Sequence, residues 1–340
     1  MSTQHILINF LHLMCLVLGI GANAQALMAA PLKIDQLSAL TSKSNLLAAH
    51  VNPISVQNSI WELFNYPGSI NALLLSDDKQ TLWVGTSGGL EQRNADTGAI
   101  QKVFTTQQGL PSNDIMSLLS DSQGGLWIGT LKGLVYRNTS GKIQVFTQNN
   151  SSLPNNDIRE LLSDGIGGLW MGTNEGLIHR DSTGQWQIFN KSNSALPSNL
   201  VYRLLSDSQG GLWIGTFNGL THLDSKGQWH IFNTSNSGLP ANSSVFDLIS
   251  DGHGGLWIAT SRLGAGETVI NELVHLDAKG QWKRDNTHKP SALTSDYQGG
   301  IWVAGNSFSY RNALGEWQTF TDQPISGIER ILSDGQGGLW

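Results

Sequence analysis

The sequence predicts an all-β protein: a seven-bladed β-propeller of four-stranded antiparallel blades. Three observations predict it. Residues 121–130 read DSQGGLWIGT, and the stretch returns as DGIGGLWMGT, DSQGGLWIGT, DGHGGLWIAT and DYQGGIWVAG. The tryptophans in this setting, Trp83, Trp127, Trp170, Trp213, Trp257, Trp302 and Trp340, are spaced 44, 43, 43, 44, 45 and 38 residues apart. Each unit divides into four short β-rich segments bounded by Gly, Asn, Asp or Ser. A period of roughly 40–45 residues with four strands is that of a propeller blade. A leucine-rich solenoid has a shorter period. Helical repeats need apolar positions three and four apart, which Gly every few residues forbids.

The chain opens with an apolar run from Ile6 to Ile20 that leads into Ala22-Asn23-Ala24. Residues 1–24 read as a secretory signal peptide, although the leading segment has no Lys or Arg. The run is short for a spanning helix. The location implied is periplasmic or extracellular. Cys15, the only cysteine, lies inside this run, so the mature chain would carry no disulfide and no thiol chemistry. Residues 25–57 read as a linker, and residues 58–340 as the propeller.

The unit at 157–190 shows the parts of a blade. DIRELLSD is the first strand, LWMGT the second, LIHRD the third and QWQIF the fourth; DGIGG, NEG and STG turn between them. NKSNSALPSN then crosses to the next unit. A blade is covered on both faces by its neighbours, so a large ring on each second strand fills the wedge between blades. The paired Gly before it permits a sharp hairpin. The Asp six residues before each Trp (Asp77, Asp121, Asp164, Asp207, Asp251, Asp296 and Asp334) is placed to cap that turn. One such Asp per blade spreads them round the rim, too far apart to share an ion. His179, His222 and His275 occupy equivalent third-strand positions, and for the same reason they are expected to pack individually rather than converge on a metal.

Closure is expected from the N-terminal side. Trp61 and Phe64 are three apart, as are Trp186 and Phe189, Trp229 and Phe232, and Trp317 and Phe320 on fourth strands. Residues 59–64 are therefore expected to be the outer strand of an incomplete last blade whose first strand and part of whose second come from residues 327–340. The sequence stops inside a seventh copy, at GQGGLW, and is expected to be a truncated reading frame.

The net charge of −6 gives no reason to expect nucleic acid as a partner. No catalytic constellation, cofactor motif or metal-ligand spacing is visible. The unit LPSNDIMSLLSDSQGGLWIGTLKGLVYR (110–137) resembles the two-component regulator propeller repeat: a Leu-Pro-x-Asn lead, a short strand ending in Asp, then Gly-Leu-Trp-Ile-Gly-Thr and a Gly-Leu. Its Leu-Pro pairs recur at 110, 153, 196 and 239, and the resemblance covers residues 69–340. Unit six departs from it, with Ala304-Gly305 in place of Gly-Thr and no Leu-Pro lead; unit five carries the insertion SRLGAGETVINE. The resemblance implies a periplasmic sensor module of hybrid histidine kinases and similar regulators, recognising a glycan or other small polar ligand, with a kinase module downstream in an intact protein. A partial likeness to the sialidase Asp-box is weaker, since Asp121 comes one residue early and the arginines are scattered among blades.

A ligand is expected on the face where the first strands begin and the second turns lie, at the channel mouth. Residues that vary around the constant motif there include Asn71, Ser117, Arg159, Glu160, Tyr202, Arg203, Phe246, Asp247, Glu329 and Arg330 on first strands. Lys132, Glu175, Phe217 and Asn218 vary at the turns, with Arg262 and Glu267 in the insertion. The ligand-binding set taken from these is Arg159, Glu175, Tyr202, Arg203, Phe217, Phe246, Asp247, Arg262, Glu329 and Arg330. Aromatic faces suit sugar C–H surface, while Arg and carboxylates make charge-assisted hydrogen bonds. A protein-interaction scaffold is the alternative, and a propeller lyase or hydrolase a further one.

Overall fold

The structure is a computed structural model that describes residues 45–46, 65–66, 69–121, 123–320, 328–334 and 339–340. Six four-stranded antiparallel sheets follow one another along the chain, each a meander in sequence order. The first comprises Ile70–Leu75, Thr81–Thr86, Gly89–Asn94 and Ile100–Phe104. The other five begin at Ile115–Ser120, Ile158–Ser163, Val201–Ser206, Ser244–Ser250 and Pro290–Ser295. First strands of successive sheets lie against one another, which puts them innermost and the fourth strands outermost. This is a β-propeller with the predicted blade.

The blade number is corrected from seven to six. Among the described residues the seventh tryptophan unit forms no sheet: it contributes one antiparallel bridge, Ser333↔Leu339, with Leu332 and Trp340 exchanging backbone hydrogen bonds of 2.9 and 2.8 Å. Two segments joined by one bridge fall short of the three or more strands that sustain a sheet. The bridged residues Ser333, Leu339 and Trp340 are nevertheless buried. Trp340 joins Ile70, Leu82, Val84 and Ala95 of blade 1, and Leu339 joins Trp302 and Phe308 of blade 6. The closing strand expected at residues 59–64 and the signal peptide at 1–24 lie outside the described residues. Asn45–Leu46, in the segment read as a linker, pairs antiparallel with Asn65–Tyr66, in the segment read as propeller.

The core lies between blades rather than within them. Trp127 belongs to a cluster with Leu161 and Met171 of the next blade, Trp170 to one with Leu204 and Ile214, and Trp257 to one with Leu293 and Val303. Close approach after Trp170 and Trp213 depends on a glycine: a Cβ on Gly172 would lie 2.9 Å from Val201 Cγ1 of the following blade, and one on Gly215 2.9 Å from Val245 Cγ1. At the outer end of the third strand, Arg137 lies over Trp83 of the preceding blade (5.6 Å) and Arg180 over Trp127 (5.8 Å). Leu223 and Leu276 fill the same place against Trp170 and Trp213. The fourth-strand Trp–Phe pattern has the same logic: Trp186 packs on Phe146 and Trp229 on Phe189, each across a blade boundary.

Asp caps the first hairpin as predicted in five blades. Asp207 Oδ1 accepts from the backbone N–H of Gln209 and Gly211 at 2.8 and 2.6 Å, and Oδ2 lies 2.8 Å from His222 Nε2. His222 stacks on its cross-strand neighbour Trp213 at 4.2 Å. Asp164–His179–Trp170 and Asp251–His275–Trp257 repeat the arrangement, and Tyr136 and Tyr310 take the histidine's place beside Asp121 and Asp296. The histidines are packed individually, as expected. Asp77 departs: in blade 1 the turn is built by Ser76 and Asp78, with Thr81 N donating to Ser76 Oγ at 2.9 Å.

Candidate functional site

Every first strand is bulged at the same point. Register slips between Ile70 and Ala72, Ile115 and Ser117, Ile158 and Glu160, Val201 and Arg203, Val245 and Asp247, and Pro290 and Ala292. The extra residue in each pair is Asn71, Met116, Arg159, Tyr202, Phe246 or Ser291. A bulge twists a strand and re-aims the side chains beside it. Here it gathers polar groups at the innermost strands, where neighbouring blades face one another.

Those groups stitch successive blades together. Asn71 Nδ2 donates to Ile115 O at 3.0 Å, and Ser117 Oγ accepts from Leu161 N at 3.0 Å. Arg203 bridges two blades at once, donating from Nη1 to Glu160 Oε2 at 2.9 Å and from Nε to Asp247 Oδ1 at 2.8 Å. Asp247 also accepts from Leu248 N and, across the next boundary, from Leu293 N, both at 2.9 Å. Ser291 Oγ donates to Ile328 O at 2.7 Å. Glu329 Oε2 accepts from Ile70 N at 2.9 Å, and Arg330 Nε donates to Asn71 O at 2.7 Å. The hairpin remnant therefore takes a place in the girdle between blades 6 and 1.

The charges at the centre perturb one another. Burial works against the charge on Arg203, yet Asp247 and Glu160 outweigh it and hold its pKa above the ordinary value. Burial pushes the Glu160 carboxyl up, against the pull of Arg203 and Arg330. Burial, and then the like charge of Arg203, lower Arg330. A cavity of about 190 Å³ opens among Asn71, Ser117, Glu160, Arg203 and Arg330. A second, of about 660 Å³, adjoins it through Asn71 and Arg330 and reaches the face where the first strands begin.

Of the ten residues chosen from sequence, the structure brings Arg203, Asp247, Glu329 and Arg330 into this girdle. Tyr202 and Arg159 sit at bulges; Arg159 is held by Asp157 Oδ2 at 2.6 Å. Phe246 packs into the boundary between blades 5 and 6. Glu175 and Phe217 are exposed at second turns, Glu175 accepting from Asn155 Nδ2 at 3.1 Å. Arg262 pairs within its own hairpin with Glu272 at 2.8 Å. Glu160 was among the varying residues but outside the chosen set. Asn271, Lys289, Ser291 and Asn306 were missed, although the departures of units five and six from the repeat mark their neighbourhood.

Fold and girdle together define a repeat propeller with a polar, partly open axis. Residues 109–132 and 195–218 match the family model described as two component regulator propeller, so the chain carries that repeat. No curated protein sequence matches it. Among solved structures it is similar to the extracellular domain of the putative one component system BT4673 from B. thetaiotaomicron, at 20% identity and a TM-score of 0.66, over 88% of this chain and 39% of that one. The chain thus spans about two fifths of that relative's length. It is also similar to virginiamycin B lyase from Staphylococcus aureus, at 15% identity and a TM-score of 0.61, over 86% of this chain and 98% of that one. The extracellular domain of the putative hybrid two component system BT3049 from B. thetaiotaomicron follows at 17% identity and a TM-score of 0.51, over 88% and 50%. At these identities the likeness is one of fold. Among the described residues no helix is long and apolar enough to cross a membrane.

Proposed function

We propose that this propeller is the ligand-binding part of an exported sensor of the two-component or one-component type. In this reading it takes a small polar ligand, a glycan fragment included, on the face where the first strands begin, and passes occupancy to a signalling module such as a kinase. One observation carries the reading: a charged cluster at the axis (Glu160, Arg203, Asp247, Arg330) borders two cavities, the larger of which opens on that face. The propeller repeats, the apolar N-terminal run and the likeness to extracellular regulator domains support the assignment and the location. The scaffold reading has its own support in Phe217, Leu263 and Val269, which are 52%, 72% and 67% exposed on the same face.

Screening the full chain against oligosaccharides and amino acids by thermal shift, followed by hydroxyl-radical footprinting, tests the proposal. A ligand should protect Tyr202, Phe217 and Lys289 while leaving Ile166 and Tyr297, exposed at the opposite hairpins, unprotected. Protection confined to the opposite face, or no ligand from the screen, would sink the sensor reading. Protection of Phe217, Leu263 and Val269 by a protein alone would favour the scaffold.

A further inference from the structure

The two units that break the repeat converge on one place. Blade 5 carries the extended hairpin Leu256–Leu263 and Val269–Leu276, and its inner edge contributes Asn271 to the larger cavity. Blade 6 contributes Lys289, Gly305 and Asn306 to the same cavity. Elsewhere the second strand ends in a threonine that closes its own turn: Thr86, Thr130, Thr173 and Thr216 each donate from Oγ1 to a Gly carbonyl at 2.8–2.9 Å. Gly305 stands in that position in blade 6, and a Cβ on it would overlap the carbonyl oxygen of Lys289. Asn306 holds the Lys289 backbone against this glycine: the Lys289 N–H donates to Asn306 Oδ1 at 3.0 Å and the Lys289 carbonyl accepts from Asn306 N at 3.3 Å. The Lys289 side chain is left exposed at the rim.

The cavity lining also offers acceptors. Asn271 donates from Nδ2 to Pro290 O at 2.8 Å, but its Oδ1 is buried with no hydrogen-bond partner. Such an acceptor is rare in a finished structure and is relieved by a donor brought from outside. Glu329 holds Ile70 N with one carboxylate oxygen, and Arg330 adds positive charge at the axial end.

The geometry points to this off-axis cavity, between blades 5 and 6 and the hairpin remnant, as the seat of a small carboxylate that also carries hydroxyl or ammonium groups. The carboxylate meets Lys289 at the rim, with Arg330 behind it; the donors meet Glu329 and, once the Asn271 side chain turns, its Oδ1. At about 660 Å³ the cavity is large enough for a ligand of amino-acid or sugar-acid size. The inference rests on the binding reading above and narrows it to one place and one chemistry.

Titration calorimetry of the full chain with D-gluconate, L-serine and neutral sorbitol tests it. Gluconate, serine or both should bind at least ten-fold more tightly than sorbitol, and Lys289→Gln and Asn271→Leu should each weaken that binding ten-fold or more without altering the circular dichroism spectrum. Gluconate alone would identify a hydroxylated carboxylate, and serine alone an ammonium-bearing one. Equal binding of sorbitol, or none by any of the three, would overturn the ligand chemistry. Binding that survives both substitutions would overturn the location. The footprint on the face where the first strands begin, with whatever ligand the wider screen yields, tests the sensor reading independently of both results.

Discussion

Replacing Arg203 with Met keeps most of the side-chain volume and removes the charge that joins three blades. Arg203 holds Glu160 and Asp247 at 2.9 and 2.8 Å with 19% of its side chain exposed, against 13% and 5% for the two carboxylates. Breaking a largely buried pair leaves the partner's charge uncompensated and costs about 3–5 kcal/mol. The burden should fall unequally. Asp247 keeps two backbone donors, Leu248 N and Leu293 N, whereas among the described residues only Arg203 donates to the Glu160 carboxylate. Urea unfolding followed by tryptophan fluorescence should therefore show Arg203→Met losing about 3 kcal/mol at pH 7, with Arg203→Met/Glu160→Gln recovering about 1 kcal/mol or more. The pH dependence has a definite sign. Burial already raises Glu160 in the fold, so the folded state favours its protonated form, and the loss in Arg203→Met should shrink as pH falls through that raised value. A loss below about 1 kcal/mol, or no recovery with Glu160→Gln, would mean that solvent screens the pair and that the girdle does not hold the blades.

Two further predictions concern the blade itself. Gly215→Ala places a Cβ 2.9 Å from both Val245 Cγ1 and the Val245 carbonyl oxygen, and overpacking of this kind should lower stability by about 1–3 kcal/mol; Val245→Ala should cost less in the Gly215→Ala chain than in the parent, which urea midpoints will report. For Asp207, burial opposes ionisation, but the N–H groups of Gln209 and Gly211 and the contact with His222 win and lower its pKa; Asp164 and Asp251 behave alike. A carboxyl with a depressed folded pKa stabilises above its unfolded value of about 3.9 and loses that contribution as pH falls through the folded value. Asp207→Asn should therefore be less stable than the parent at pH 7 and show a shallower acid limb in melting temperature below about pH 4; an unchanged limb would refute the role of that carboxylate.

The blade was legible because its signals are local. Period, strand length, the DxxGG turn and the Gly-Thr after Trp83, Trp127, Trp170 and Trp213 all lie within one unit and recur, and each corresponds to a contact seen in the structure. The count was not legible. Trp340 occupies the position of a seventh ring, but a ring position is only one residue, and a sheet needs paired strands; the sequence counts tryptophans while the structure counts ladders. At the axis, Arg203 and Asp247 were found because they vary where the motif is constant. Glu160, one strand away, varied too, but nothing in a single chain says which variable residue meets which. Asn271 and Lys289 were missed for the opposite reason: they sit where the repeat fails, and nothing in a single chain says that the insertion of unit five and the departures of unit six share one location.

The bulged inner strands carry a consequence for how such a ring can be assembled. Their outward parts are close copies, so any blade could in principle accept any neighbour. Their inward edges are not copies: an amide meets a carbonyl at one seam, a hydroxyl an N–H at the next, a carboxylate a guanidinium at the third. Each seam is a separate key. A duplicated or transposed blade would face a lock cut for another, and a strand exchanged between two copies of the chain would fit only at its own address. Repetition on the outside thus makes the fold easy to propagate, while the unlike edges within give every blade one place in the order.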